Sequence, residues 1–289
     1  MRPEYVSYFE RIEGQVEKCF FVAERAREIG RDPSLEVEIP IANDMAGRIE
    51  NLLGISGISD RIRELEKDMG REEIALELAK DFAEGKVGEY DTYEGIIEGA
   101  IRTAVALLTE GVVAAPLEGI DRVELCDNSD GTEFVRIFYA GPIRSAGGTA
   151  QALSVLVADY VRTILGISSY KPLQEEVERY AEEIELYARE TSLQYLPSSE
   201  ETKFIARNCP IMLDGDPTGK MEVSGYRDLT RVKTNKSRGG MCLVLAEGIA
   251  LKAPKIKRYM SQLSEIEWPW LDDLIAGKFS EEEIPESVE

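Results

Sequence analysis

Histidine is absent from the 289 residues, and cysteine (four) and tryptophan (two) are scarce. Without histidine, Ser-His-Asp and Cys-His nucleophile arrangements have no base, and the common zinc sites lose their imidazole ligand. Cys19, Cys126, Cys209 and Cys242 lie far apart and form no CxxC pair. They read as reduced, mostly buried thiols rather than a metal site or a disulfide framework. No apolar run reaches the roughly 18 residues of a membrane span, because Glu110 and Asp159 interrupt the best candidates. The opening "MRPEYVSYFERIEGQVEKCFF" places acids where a signal peptide would be apolar, so a cytoplasmic protein is expected.

What is present is charge. Charged residues make up 31% of the chain and hydrophobic ones 43%, with a net charge of −21. Averaged over a surface, that excess of acid would repel a polyanion. The distribution is uneven, however. Between Lys220 and Tyr259 ten Lys/Arg meet three acids, so this segment carries +7 and the remainder −28. A molecule polarised in this way can hold a polyanion on one face.

Tyr5, Phe9, Ile12, Val16, Phe20, Ala23 and Ala26 recur at helical spacing, which predicts one amphipathic helix over 4–29. "LEVEIPI" alternates as a short edge strand over 35–41. Helical patterns follow near 44–53, 59–69 and 71–84, and Asp91 with Glu94 resembles a capping box for a helix through "GIIEGAIRTAVALL". After Pro116, "DRVELCDNSDGTEFVRIFYA" reads as an antiparallel hairpin closed by "NSDG". A helix over 150–165, an acidic helix over 173–190, and another capped by Ser198 and Glu201 come next, and "PIMLDGDPTGKMEVSGY" reads as a second hairpin. The expected class is α+β and predominantly helical. A helical part (1–115) precedes an α+β part (116–270), and an acidic tail or linker (271–289) closes the chain.

Two stretches bear on chemistry. In "FYAGPIRSAGGTAQALSVLVADYVRTIL", Thr149 is the expected N-cap of the following helix. Gly147 and Gly148 would admit a phosphate oxygen to the first-turn N–H groups, and Arg144 would supply a bidentate charge. The bland alternative is a tight strand-to-helix turn. A nucleotide P-loop does not fit, since neither GxxxxGK[ST] nor GxGxxG occurs there. In "GYRDLTRVKTNKSRGGMCLVLAEGIALKAPKIKRY", Arg231, Lys233, Lys236 and Arg238 crowd a polar turn, and Lys252, Lys255, Lys257 and Arg258 return after an apolar element. Such bases contact phosphate backbones without reading sequence. Asp214 and Asp216 in "LDGDPTG" have the carboxylate type of a two-metal site, but the Gly-Pro setting reads first as an exposed turn. No catalytic residue and no metal ligand is assigned.

These stretches, with "EGIIEGAIRTAVALLTEGVVAAPLEGI" and "EIPIANDMAGRIE", resemble the N-terminal region of the large subunit of archaeal family-D DNA polymerase, over residues 1 to about 275. The resemblance implies a replicative DNA polymerase working with a small subunit of 3′–5′ exonuclease type. It also implies self-association of the large subunit and a Mg²⁺-dependent catalytic core downstream of this region. For this region it implies a scaffold for assembly and DNA engagement, built on an α+β unit related to KH domains, although no convincing GxxG loop marks a KH clamp. The segment alone is then expected to be non-catalytic and to need no cofactor. Two rival readings stay open: a stand-alone enzyme for a phosphorylated small molecule, using Arg144, the glycine loop and Asp214/Asp216, and a pure protein-assembly module.

Overall fold

A computed structural model of the chain describes residues 2–31, 42–111 and 114–279, and the chain divides between Ile41 and Ala42 into two units. The first contains α1 (Pro3–Glu28), with proline in its first turn, Glu4 beside it, and Arg25 and Arg27 in the last turn. These charges suit the two ends of the helix dipole. None of its residues is buried, and Tyr5, Phe9, Ile12, Val16 and Phe20 leave an apolar stripe open. The strand expected at 35–41 lies outside the described residues.

The second unit begins with α2 (Met45–Leu53), α3 (Ile58–Leu65), α4 (Arg71–Ala83) and α5 (Tyr93–Leu108). The cap of α5 is Thr92 rather than Asp91: its hydroxyl accepts the Gly95 N–H at 3.2 Å, so the helix starts one residue later than a box built on Asp91 would allow. A single turn, α6 (Ala115–Glu118), leads into the expected hairpin of β1 (Ile120–Asp127) and β2 (Glu133–Tyr139). Its register sets Val123 against Ile137 and Leu125 against Val135, and a turn from Asn128 to Thr132 closes it with Gly131 at φ +78°.

A 3-10 turn (Gly141–Ala146) then hands the chain to α7 (Gly147–Ile164). α8 (Gln174–Glu190), α9 (Ser199–Asn208), β3 (Met212–Gly215), β4 (Pro217–Glu222) and β5 (Lys236–Arg238) follow. Ser198 caps α9 as expected, accepting from the Glu201 N–H at 3.1 Å. From Gly239 to Met260 the chain is helical throughout: α10 (Gly239–Leu243), a π-helical stretch (Val244–Ala250) and α11 (Leu251–Met260). The last element is α12 (Trp270–Ala276), which buries Leu271 and Leu274 where the sequence suggests a tail or linker.

The second hairpin does not form. β3 joins β2 in parallel, giving the order β1-β2-β3, while β4 pairs antiparallel with β5 in a separate sheet. The reason is burial. All four residues of β3 are buried, Leu213 in the main core and Met212 in a smaller cluster with Phe134, Tyr170, Leu229 and Val232. The adjacent Pro217 and Thr218 are exposed, so the two strands suit different surroundings. α7 is buried along most of its length and packs against α4, α5 and α11, so the core runs continuously across residue 116. Among the described residues no helix is long and apolar enough to cross a membrane.

Candidate nucleic-acid interface

The glycine loop is shaped by two different requirements. Gly147 sits at φ +75° with open space where a side chain would point, so its need is backbone conformation. Gly148 has ordinary φ, but an added Cβ would lie 2.3 Å from the Glu247 carbonyl oxygen and 2.9 Å from Lys252 Cε. The π-helical stretch and Lys252 thus close directly over the first turn of α7. Helix α7 starts at Gly147 with Ala146 before it, because the 3-10 turn runs straight into the helix. Thr149 is therefore its third residue and not its cap. Its hydroxyl accepts instead from Lys255 Nζ at 3.0 Å.

Arg144, one turn earlier, is exposed and donates to the Ser192 carbonyl at 3.1 Å. The structure thus brings Gly147, Gly148, Thr149, Lys252 and Lys255 together at the positive end of an 18-residue helix, with Arg144 close by in sequence. Such an end offers N–H donors and a favourable dipole to an anion. Further along α11, Lys257 is ion-paired with Asp272, and Arg258 lies over the Tyr259 ring at 4.9 Å. Both remain exposed.

The first basic turn is built differently. Arg238 is fully buried: its guanidinium meets Glu183 of α8 at 2.9 Å and Asp214 of β3 at 2.9 Å. Burial alone would lower its pKa, yet Glu183 and Asp214 raise it well above the usual arginine value. Arg231 is bidentate to Glu176 (2.7 and 2.6 Å) and lies 5.3 Å from the Phe134 and Tyr170 ring centres. Both arginines, expected from the sequence at a phosphate, are instead engaged by carboxylates of α8 and β3. Lys233 and Lys236 are exposed and have no ion pair among the described residues.

Asp214 does not lie on the exposed turn expected of its Gly-Pro setting. It is 2% exposed and held by both Arg136 and Arg238, whereas Asp216 is exposed. Burial pushes the Asp214 carboxyl pKa up, but Arg238 and Arg136 outweigh it and hold the group below the usual carboxylate range. With arginines on both of its oxygens it has no open position for a metal or a substrate. The described residues contain no cluster of three or more metal-ligating side chains. The rival enzyme thereby loses one of its two carboxylates, with Asp216 left exposed.

Residues 7–277 match the family described as DNA polymerase II large subunit DP2, N-terminal. The chain belongs to that family. Similar proteins include the DNA polymerase II large subunits of Haloarcula marismortui (66% identical over 286 residues, 99% of this chain and 20% of the relative) and Halobacterium salinarum (63% over 288, 100% and 21%). That of Methanosarcina barkeri is 57% identical over 274 residues, 95% of this chain and 24% of the relative. The chain thus spans about a fifth of the length of the curated relatives it matches.

Within this DNA polymerase II large-subunit family member, sequence reasoning missed the partners more than the bases. Glu176, Arg179 and Glu183 recur at helical spacing on α8, a row of charge facing inward, and all three are buried. Their burial carried no local signal, because α8 looks like a solvated acidic helix until β5 and the 223–235 loop are laid on it. The Thr149–Lys255 contact had none either, as it joins residues 106 positions apart.

Proposed function

We propose that this chain serves as the N-terminal part of the catalytic subunit of an archaeal replicative DNA polymerase, engaging the DNA backbone during template-directed synthesis. The contact assigned to it is the start of α7 with Arg144, Lys252 and Lys255. Lys233, Lys236, Lys257 and Arg258 contribute long-range attraction. The observation that carries this reading is the closure of Lys252 and Lys255 over the glycine loop, with Lys255 Nζ 3.0 Å from the Thr149 hydroxyl. Two cations then border one helix N-terminus in a chain of net charge −21. In the whole protein, Mg²⁺-dependent nucleotidyl transfer belongs to residues outside this chain. The small exonuclease-type subunit, and a second large subunit, are the expected protein partners in the cytoplasm. A pure assembly module is the second reading, and the open apolar stripe of α1 favours it.

The test is salt-dependent DNA binding. Each phosphate that the protein ceases to neutralise should flatten the slope of log K against log salt by roughly 0.7–0.9. Replacing Arg144, Lys252 and Lys255 by serine is expected to reduce it by about 2. An unchanged slope would assign the loop a purely structural role. In primer extension with Mg²⁺ the purified chain is expected to incorporate no nucleotide, and incorporation abolished by Asp214→Asn would return the active site to this region.

A further inference from the structure

Two non-glycine residues of one loop hold positive φ: Tyr226 at +31° and Asp228 at +55°. Side chains resist this region of backbone space, and a residue kept there needs surroundings that over-determine it. The surroundings are present. Arg179 donates to the Tyr226 carbonyl at 3.0 Å and also to that of Thr234. Glu182 accepts from the Ser224 hydroxyl at 2.7 Å and from the N–H groups of Ser224 and Gly225. Asp228 and Asn235 exchange two hydrogen bonds, at 3.1 and 2.9 Å. α8 thus clamps the loop from below.

Strain held by that many bonds gains nothing in packing, because the Tyr226 side chain is left outside the core, with 46% of the residue exposed. Glycine would adopt the same backbone without steric strain. The lysines of this loop and of the β4–β5 sheet that flanks it are uncommitted. Lys236 pairs in register with Glu222 on β4, so its side chain shares a sheet face with Glu222 and, two residues away, Lys220. Neither lysine, nor Lys233, has an ion pair among the described residues. Of the nearby acids, Glu222 faces Arg227 at 3.9 Å and Asp228 is engaged by Asn235.

We propose that Tyr226 is a stacking platform for an unpaired base of single-stranded DNA, with Lys220, Lys233 and Lys236 attracting its backbone. An aromatic ring offered to solvent on a rigid loop suits any base, since every base has a π-face. In a duplex those faces are covered by neighbouring pairs, so the site selects unpaired strand. The inference rests on the DNA-engaging reading above but uses a different part of the molecule.

The experiment is a fluorescence titration of the full chain with short oligothymidine, an abasic oligonucleotide of equal length, and a duplex. Tyr226→Ala is expected to weaken oligothymidine binding roughly 5- to 100-fold and to leave abasic and duplex binding unchanged. Tyr226→Trp should retain affinity, with its emission quenched by oligothymidine but not by the abasic strand. Tyr226→Gly relieves the backbone. It should therefore lose affinity as alanine does while melting no lower than the wild type, which separates a stacking defect from a folding defect. Equal losses on all three ligands, or none on oligothymidine, overturn the platform and leave the loop as a site for a protein partner. A wild-type chain that binds none of the three removes the DNA reading as well.

Discussion

Arg238 and Lys255 carry the same charge in the same basic segment, yet one is sealed in the protein and the other borders the glycine loop. Arg238 meets Glu183 and Asp214 with no exposed surface, while Lys255 donates to the Thr149 hydroxyl and stays exposed, with Glu72 within reach of its charge. The difference follows side-chain chemistry. A planar guanidinium satisfies several acceptors at once and tolerates desolvation, whereas an ammonium is strongly hydrated and stays near water. This run of bases therefore divides into arginines such as Arg231 and Arg238 that build the fold and exposed bases, mostly lysines, left over for a ligand. Counting charge along the chain cannot tell the two apart.

The largest way to sharpen that contrast is to remove one partner of the sealed network. Arg238→Ala should cost about 3–5 kcal/mol, because Glu183 and Asp214 are then left buried without their shared cation. Chemical denaturation should show the loss, with any weakening of DNA binding tracking the unfolded fraction. The acid limb of the same network has a defined sign. Asp214 has a lowered pKa in the folded state, so its contribution is present above its ordinary value near 3.8 and is lost as pH falls toward the folded pKa. Melting temperature should fall with acidification below about pH 4. Asp214→Asn should make that fall shallower, and an unchanged profile would remove Asp214 from the account.

The middle of the range belongs to the glycine loop. Gly148→Ala should cost about 1–3 kcal/mol, since the new methyl group meets backbone carbonyl oxygen and something must shift. Gly147→Ala should cost about 1 kcal/mol, for φ alone. The smallest stability effect is expected at the other pole: exchanging Lys252 and Lys255 for serine should change stability by about 0.5 kcal/mol or less per site. If that exchange unfolded the chain, the division between building and binding bases would not hold.

Helical periodicity exposed most of the framework. The pattern of α1, the acidic run of α8 and the Ser198 cap all follow from spacing and local chemistry. The glycine pair was legible as a tight turn, but not the distinct reasons for its two members. What could not be read was long-range. The Gly-Pro setting of Asp214 suggests a hairpin turn, because nothing local says that β3 pairs in parallel with β2 or that Arg136 reaches Asp214 from β2. Arg231 and Lys233 look alike in sequence, and only the placement of Glu176 and Tyr170 separates them. Local rules saw which groups were charged, and tertiary packing chose which of them remained free.

The π-helical stretch between α10 and α11 sets a phase. A wider turn accommodates one more residue than an α-helix would, and each residue turns an α-helix by about 100°. Winding the same seven residues, Val244–Ala250, as regular α-helix would leave the composition of the basic face unchanged. It would also rotate everything after it by about that angle. Lys255 would then swing off Thr149, and Lys257 off Asp272. The same stretch brings Gly248 so near α7 that an added Cβ would stand 3.0 Å from Gln151 Cβ, which fixes its place along the helix as firmly as its rotation. The seven residues act as gearing between two helices, and their winding, more than their identity, decides whether the lysines of α11 face the glycine loop.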